Sequence, residues 1–126
     1  MSPELEKQLV EKYPKLFPEG PFWGAESPWG VECGDGWYDI LDNLCGSIAS
    51  YGNADNVVID QIKEKFGTLR FYVTGGDDMI DGMIWMAEHM SGHICEVCGN
   101  RGKMQTKGWM VTLCDLHHVE RIMKEV

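Results

Sequence analysis

The chain has 126 residues, of which 44% are hydrophobic, and its formal net charge at pH 7 is -9. This size predicts one compact domain, and no stretch approaches the roughly 20 apolar residues of a membrane helix. Residues 1–94 hold 16 acidic and 6 basic side chains, net -10, whereas residues 95–126 are net +1. Such an acidic surface repels phosphate backbones, so unaided nucleic-acid binding is disfavoured.

The first predicted element is a short helix over residues 4–13. Ser2 supplies a capping hydroxyl, and Pro3 suits a first helical position, where a backbone N–H has no helical partner. Pro14 ends the segment, because proline cannot continue a helix. A helix this short is stable only when docked, so we expect it to contact the rest of the fold.

The next segment, residues 16–34, has no sustained period and is rich in proline, glycine and aromatic residues. Long structureless loops are typically functional or packed by their own side chains. We expect the aromatic side chains to fold over the core. The alternative is that some of them anchor a protein partner, with Trp23 and Trp29 as candidates, because tryptophan is enriched at interfaces.

The clearest helical period covers residues 37–51 and predicts an amphipathic helix with one apolar face. Asp35 is the expected N-cap, and Asp39 favours the positive end of the helix. Cys33 and Cys45 have no neighbour at metal-ligand spacing. We therefore expect both cysteines to be small packed residues.

An antiparallel β-hairpin is predicted from residues 57–65 and 68–74. The second stretch alternates apolar and polar residues, which indicates a half-buried strand. Gly67 suits the turn between the strands, because glycine readily adopts positive φ. A lone hairpin is marginally stable, so we expect it to pack against the helix over residues 37–51.

A methionine-rich helix is predicted over residues 79–90. Asp77 or Asp78 is suited to cap it. Apolar residues cover more than one face, so we expect burial on two sides, with the C-terminal segment covering the second. The alternative is an exposed binding surface, because methionine adapts to varied partners.

Two ligand-type pairs near the end of the chain predict a metal site. Cys95 and Cys98 form a Cys-x-x-Cys pair, and Cys114 and His117 form a Cys-x-x-His pair fifteen residues later. Thiolate and imidazole donors in this spacing are typical of tetrahedral zinc. Four protein ligands leave no open position for water, so we expect a structural Zn²⁺ that stabilises a small module.

The fourth ligand has two alternatives, His118 and His93. We prefer His117, because Cys-x-x-His at a helix start places both donors on one side of the first turn. The other alternative to a metal site is a disulfide between Cys95 and Cys98. The chain shows no signal-peptide pattern, so we expect it in the cytoplasm, where thiols stay reduced.

A tight turn at residues 95–98, called the knuckle, is followed by a strand over residues 109–113 and a helix that begins at Cys114. This order resembles the treble-clef zinc finger. The resemblance implies a C-terminal finger with a structural zinc. Together with the preceding elements it predicts an α+β fold, in which helices pack on a small antiparallel sheet. We expect an acidic body over residues 1–92 and a zinc finger over residues 93–126, packed together as one cooperative unit.

The stretch "WMVTLCDLHH" also resembles the zinc-stabilised HNH nucleases. The hairpin "NRGKMQTKGWMVTL" contains no histidine, so the nuclease role does not carry over. The whole chain, especially "CGDGWYDILDNLC" and "IKEKFGTLRFYV", is similar to small uncharacterised proteins of phages and bacteria. This resemblance implies a phage or prophage origin and interference with a host system.

We therefore predict a non-catalytic, zinc-stabilised protein that binds a protein partner, such as a basic host nucleic-acid-binding or defence protein. In a phage-encoded chain the site of action would be the host cytoplasm. The candidate contacts, besides the two tryptophans, are carboxylates: Asp35, Asp39, Asp42, Asp77, Asp78 and Asp81. The alternatives are a metal-dependent hydrolase related to a degenerate HNH nuclease, and a DNA-binding regulator that uses Arg101, Lys103 and Lys107.

Overall fold

The structure, a computed structural model, describes residues 1–18 and 30–124. Within these ranges the chain has a mixed α+β fold with four α-helices, a three-stranded sheet and a two-stranded sheet, as predicted. The elements are α1 (Pro3–Lys12), β1 (Val31–Glu32), α2 (Tyr38–Ser50), β2 (Val58–Lys65), β3 (Thr68–Thr74), α3 (Asp78–Ser91), β4 (Lys103–Gln105), β5 (Val111–Leu113) and α4 (Asp115–Lys124). No described helix is both long and apolar enough to span a bilayer.

Helix α1 is capped and docked as expected. The Ser2 hydroxyl accepts a hydrogen bond from the Leu5 N–H, 3.4 Å away. The helix is tied to β1, because the Val31 N–H donates to Glu6 Oε1 at 2.6 Å and the Met1 ammonium donates to the Val31 carbonyl at 3.1 Å. These bonds, together with the burial of Leu9, attach the N-terminus to the sheet.

The three-stranded sheet has the order β1-β2-β3. The predicted hairpin is confirmed: β2 and β3 are antiparallel, with Ile62 opposite Phe71. Phe66 and Gly67 form its turn with φ of 55° and 84°. Strand β1 was not predicted, and it runs parallel to β2 with Val31 opposite Ile62.

Helices α2 and α3 pack together, and both contribute to the apolar core over the sheet. Trp37, just before α2, is fully buried, and its indole N–H donates to the Ile94 carbonyl at 2.8 Å. The fully buried side chains of this core include Leu41 and Ile48 from α2, Ile62 and Leu69 from the sheet, and Ile80 from α3. Cys33 and Cys45 are buried in the same core, as expected.

The predicted N-cap at Asp35 is wrong. Residues Asp35–Trp37 form a 3-10 turn, and α2 begins after it without a side-chain cap. The Asp35 carboxylate instead accepts a hydrogen bond from the Ser2 N–H at 2.6 Å, because α1 lies close to this turn. At α3, Asp77 is the cap, and its side chain accepts from the Ile80 N–H.

The prediction that α3 is buried on two sides is also wrong. Its inner face is buried through Ile80, Ile84 and Ala87. The outer apolar residues remain 46–63% exposed: Met79, Trp85, Met86 and Met90. The described C-terminal residues dock near one end of α3 and do not cover this outer face.

The docking of the C-terminal segment involves backbone groups of the body. The Gly36 N–H donates to the Glu96 carbonyl at 2.7 Å, and the Gly34 N–H donates to Glu96 Oε2 at 2.9 Å. On the other side, the Thr112 hydroxyl donates to the Gly67 carbonyl in the β2–β3 turn at 2.6 Å. We therefore expect the two segments to unfold together.

Candidate metal centre

The first pair of candidate ligands lies in a tight turn between Ile94 and Arg101, which form an isolated antiparallel bridge. The Cys95 N–H donates to the Asn100 carbonyl at 2.7 Å, and the Gly99 N–H donates back to the Cys95 carbonyl at 2.9 Å. Gly99 has φ of 82°, a conformation that glycine adopts without steric penalty. The turn therefore holds both sulfurs on the same side of the chain.

The second pair is delivered by the hairpin of β4 and β5 and by the start of α4. The hairpin pairs Lys103 with Leu113, and Cys114 follows directly, ahead of the first residue of α4. The His118 N–H donates to the Cys114 carbonyl at 2.9 Å, which closes the first helical turn. His117 therefore follows Cys114 by one helical turn and lies on the same side of the helix, facing the Cys95 sulfur.

The structure brings the four predicted ligands together, with all four donor atoms within 4.8 Å of one another. The Cys98 and Cys114 sulfurs are 3.7 Å apart, and His117 Nδ1 lies 3.6 Å from the Cys95 sulfur and 3.2 Å from the Cys114 sulfur. A tetrahedral zinc with Zn–S near 2.3 Å and Zn–N near 2.0–2.1 Å requires S···S of about 3.8 Å and S···N of about 3.5 Å. The donor set therefore fits a tetrahedral ion of this size.

The thiols of the cluster differ in environment. Burial acts to raise the pKa of the Cys95 thiol, but the backbone N–H groups of Cys114, Cys98 and Val97 lower this pKa from 9.0 to about 7. The Asn100 N–H lowers the pKa of the Cys98 thiol, but desolvation and the neighbouring Cys95 and Cys114 sulfurs together outweigh it, so this pKa is raised. A divalent cation among the sulfurs would favour the thiolate form at each position, and thiolate is the form that binds metal.

The two alternative histidines are not part of the cluster. His93 is exposed, and its ring lies 5.7 Å from that of His89. His118 Nδ1 is buried and has no hydrogen-bond partner among the described residues. His117 Nδ1 is the ring nitrogen beside the Cys95 and Cys114 sulfurs, and Nε2 lies 3.9 Å from Glu120 Oε2, beyond hydrogen-bond distance.

The predicted acidic contacts do not form one cluster of free carboxylates. Asp42 accepts hydrogen bonds from the Tyr13 hydroxyl at 2.5 Å and from the Lys12 ammonium at 2.9 Å, and these bonds lower its pKa. Asp77 accepts from the Tyr51 hydroxyl at 2.8 Å in addition to capping α3. With Asp35 bonded to the N-terminal segment, half of the six candidates form internal hydrogen bonds.

The remaining carboxylate candidates, Asp39, Asp78 and Asp81, are exposed. They lie on α2 and on the first turn of α3. Trp23 and Trp29 lie outside the described residues. The basic residues Arg101, Lys103 and Lys107 are exposed on the C-terminal hairpin.

A groove lies between α2 and α3, and it was not predicted from the sequence; we call it the α2–α3 groove. It has a volume of about 350 Å³. Its lining consists of Asp39, Ile40, Asn43, Leu44 and Ser47 from α2, Met83, Met86, Ala87 and Met90 from α3, and Ile94. The signal in the sequence was the methionine spacing on α3, but the position of α2 beside it depends on the tertiary fold.

Comparison with known proteins leaves the site to be interpreted from its own geometry. No protein-family model, curated protein or solved structure matches the chain. Along the chain, the Cys95–Cys98 turn is followed by β4, β5 and α4. The described part of the chain thus contains a Cys₃His cluster whose four donors are placed to hold one metal ion.

Proposed function

We propose that this chain is a zinc-stabilised, non-catalytic protein that acts by binding another protein. The donor set carries the proposal, because three sulfurs and one imidazole at tetrahedral spacing are the ligands that structural zinc prefers. Four protein donors complete the coordination of the ion. No position then remains for the water or substrate that a catalytic zinc would activate.

Zinc would supply the stability that the C-terminal segment lacks. The buried apolar cluster beside the donors consists of Cys95, Leu113 and Cys114, with Val111 packed against it. Helix α4 buries none of its described side chains. Such a small core does not hold a finger by itself, so metal binding and folding are coupled.

The surface supports a binding role. Large apolar side chains remain exposed on α3 and α4, and contiguous apolar patches on a protein surface mark interaction sites. The net charge of -9 would steer the chain towards basic partners. In keeping with its resemblance to small phage and bacterial proteins, we propose that the partner is a basic host protein, of the kind that binds nucleic acid or acts in defence.

Capture from a host extract tests this proposal. The zinc-loaded chain is immobilised and compared with a variant in which Asp39, Asp78 and Asp81 are replaced by lysine. These carboxylates are exposed, so the variant should keep its fold and its zinc content. We expect the wild-type chain to capture a basic protein at low ionic strength, and the variant to lose that protein.

Two results would contradict the proposal. One is the absence of any captured protein at low ionic strength. The other is turnover of nucleic acids or nucleotides by the zinc-loaded chain, which would favour the hydrolase alternative. Zinc content and circular dichroism of both proteins provide the controls for folding.

A further inference from the structure

The α2–α3 groove has an apolar lining of the kind that binds a helix. Met83, Met86 and Met90 lie along one wall, and seven residues of helix extend about 10 Å. Ile40 and Leu44 form the opposite wall. A groove with apolar residues on both walls can accept a row of side chains from one helix.

The methionines on this wall are accessible. Met86 is 53% exposed and Met90 is 46% exposed, although both are large apolar residues. Methionine side chains are flexible and polarizable, so they adjust to the apolar face of an incoming helix. An exposed row of this kind is the surface that amphipathic helices use when they bind in a groove.

The charge of the groove walls restricts what can bind. Helices α2 and α3 contain five carboxylates and no lysine or arginine: Asp39, Asp42, Asp78, Asp81 and Glu88. Asp42 is paired with Lys12, and Glu88 accepts the Phe71 N–H. The other three are exposed, and Asp39 lies on the groove itself. The local field therefore favours a ligand with positive charge beside its apolar face.

We propose that the α2–α3 groove binds a basic amphipathic α-helix of a partner protein. Apolar side chains at i, i+3, i+4 and i+7 of that helix would contact the methionine wall. Its lysine and arginine side chains would lie towards Asp39, the carboxylate that lines the groove. This inference rests on the proposed binding function and assigns both the surface and the class of partner.

A second copy of the chain is the competing occupant. Helix α4 has an exposed apolar stripe that includes Leu116, Val119 and Met123, so it could enter the groove of another molecule. Helix α4 has two acidic and two basic side chains, however, so it brings no net positive charge to the groove, and the total charge of -9 on each copy opposes self-association. Charge complementarity thus favours a basic helix from a different protein.

The test is a titration of the zinc-loaded full chain with a fluorescently labelled peptide of about 18 residues, long enough to form a helix. The peptide has leucine at i, i+3, i+4 and i+7, and lysine and arginine elsewhere. Met86→Gln should weaken binding about tenfold, because it removes apolar contact area from the groove. Asp39→Asn should weaken it about threefold at low ionic strength, and this difference should vanish at high ionic strength.

Matched controls separate the groove from the rest of the surface. Met123→Gln changes a methionine on α4 that is 70% exposed and lies outside the groove, so it should leave binding unchanged. Asp55→Asn is the corresponding control for charge. A peptide in which glutamate replaces every lysine and arginine should not bind. Circular dichroism and zinc content check the fold of each variant.

Three results would overturn the groove assignment: equal losses in Met86→Gln and Met123→Gln, equal binding of the acidic peptide, or self-association that both Met86→Gln and Leu116→Gln abolish. The last would identify a second copy as the occupant. Peptide binding that depends on another surface would reject the groove but leave the binding function standing. Turnover of nucleic acid would reject the binding function itself.

Discussion

Replacing Cys114 by serine should abolish stoichiometric zinc binding and unfold the C-terminal segment from residue 93 onwards. Cys114 lies between the hairpin and α4, and its sulfur is 3.7 Å from that of Cys98 and 3.2 Å from His117 Nδ1. A serine hydroxyl is a far weaker zinc ligand than a thiolate. The remaining three donors would leave an open and poorly held site.

The expected effect is large because metal binding supplies the folding free energy of small zinc modules, on the order of 10 kcal/mol or more. Amide hydrogen exchange should show loss of protection throughout β4, β5 and α4. The body should also lose stability, since Glu96 and Ile94 accept hydrogen bonds from the N–H groups of Gly34, Gly36 and the Trp37 indole. Elemental analysis of the purified variant measures the metal directly.

Cys45→Ser is the matched control, because Cys45 is fully buried but lies in the main core. This variant should lose about 1–3 kcal/mol of stability from the buried hydroxyl and keep its zinc. Unchanged zinc stoichiometry in Cys114→Ser would reject the ligand assignment. Loss of zinc in both variants would show that the metal content reports only the general integrity of the fold.

Gly36→Ala should destabilise the whole chain by about 3 kcal/mol, near the upper end of the range for overpacked interiors. A Cβ atom at Gly36 would lie 2.1 Å from the Cys95 carbonyl oxygen and 2.6 Å from the Glu96 carbonyl oxygen. These are backbone atoms of the knuckle, so no side-chain rotation relieves the contact. The knuckle would have to move away and lose its hydrogen bond to the Gly36 N–H.

Denaturant unfolding followed by tryptophan fluorescence and by zinc release measures this effect. Both signals should shift to lower denaturant together if the body and the C-terminal segment unfold as one unit. Gly52→Ala is the control, because a Cβ there meets nothing within 4 Å, and its free energy of unfolding should stay within about 0.5 kcal/mol of wild type. Zinc release that precedes body unfolding in the wild type would contradict the single cooperative unit.

The elements that the sequence predicted are those with a strong local signal. The helical period of α2, the alternation in β3 and the Ser2 cap of α1 each come from contacts between residues close in the chain. The ligand set was predictable for a similar reason, because each ligand pair spans four consecutive residues, one pair at a turn and the other at a helix start. These features therefore appeared at the expected residues.

The remaining features depend on tertiary contacts that have no local pattern. Strand β1 has two residues and is defined by its pairing with Ile62 and Lys63 of β2. Asp35 has the chemistry of a helix cap, but the nearby Ser2 N–H binds its carboxylate instead. The exposed face of α3 and the groove beside it depend on where the C-terminal segment docks, which the helical period does not specify.

X-ray absorption spectroscopy of the zinc-loaded chain tests the closed metal site most directly. We expect one zinc per chain, with three sulfur ligands near 2.3 Å and one nitrogen ligand near 2.0–2.1 Å. That result would place Cys95, Cys98, Cys114 and His117 around a single ion. Fewer than three sulfurs, an oxygen ligand from water, or no stoichiometric zinc in reduced protein would contradict the account.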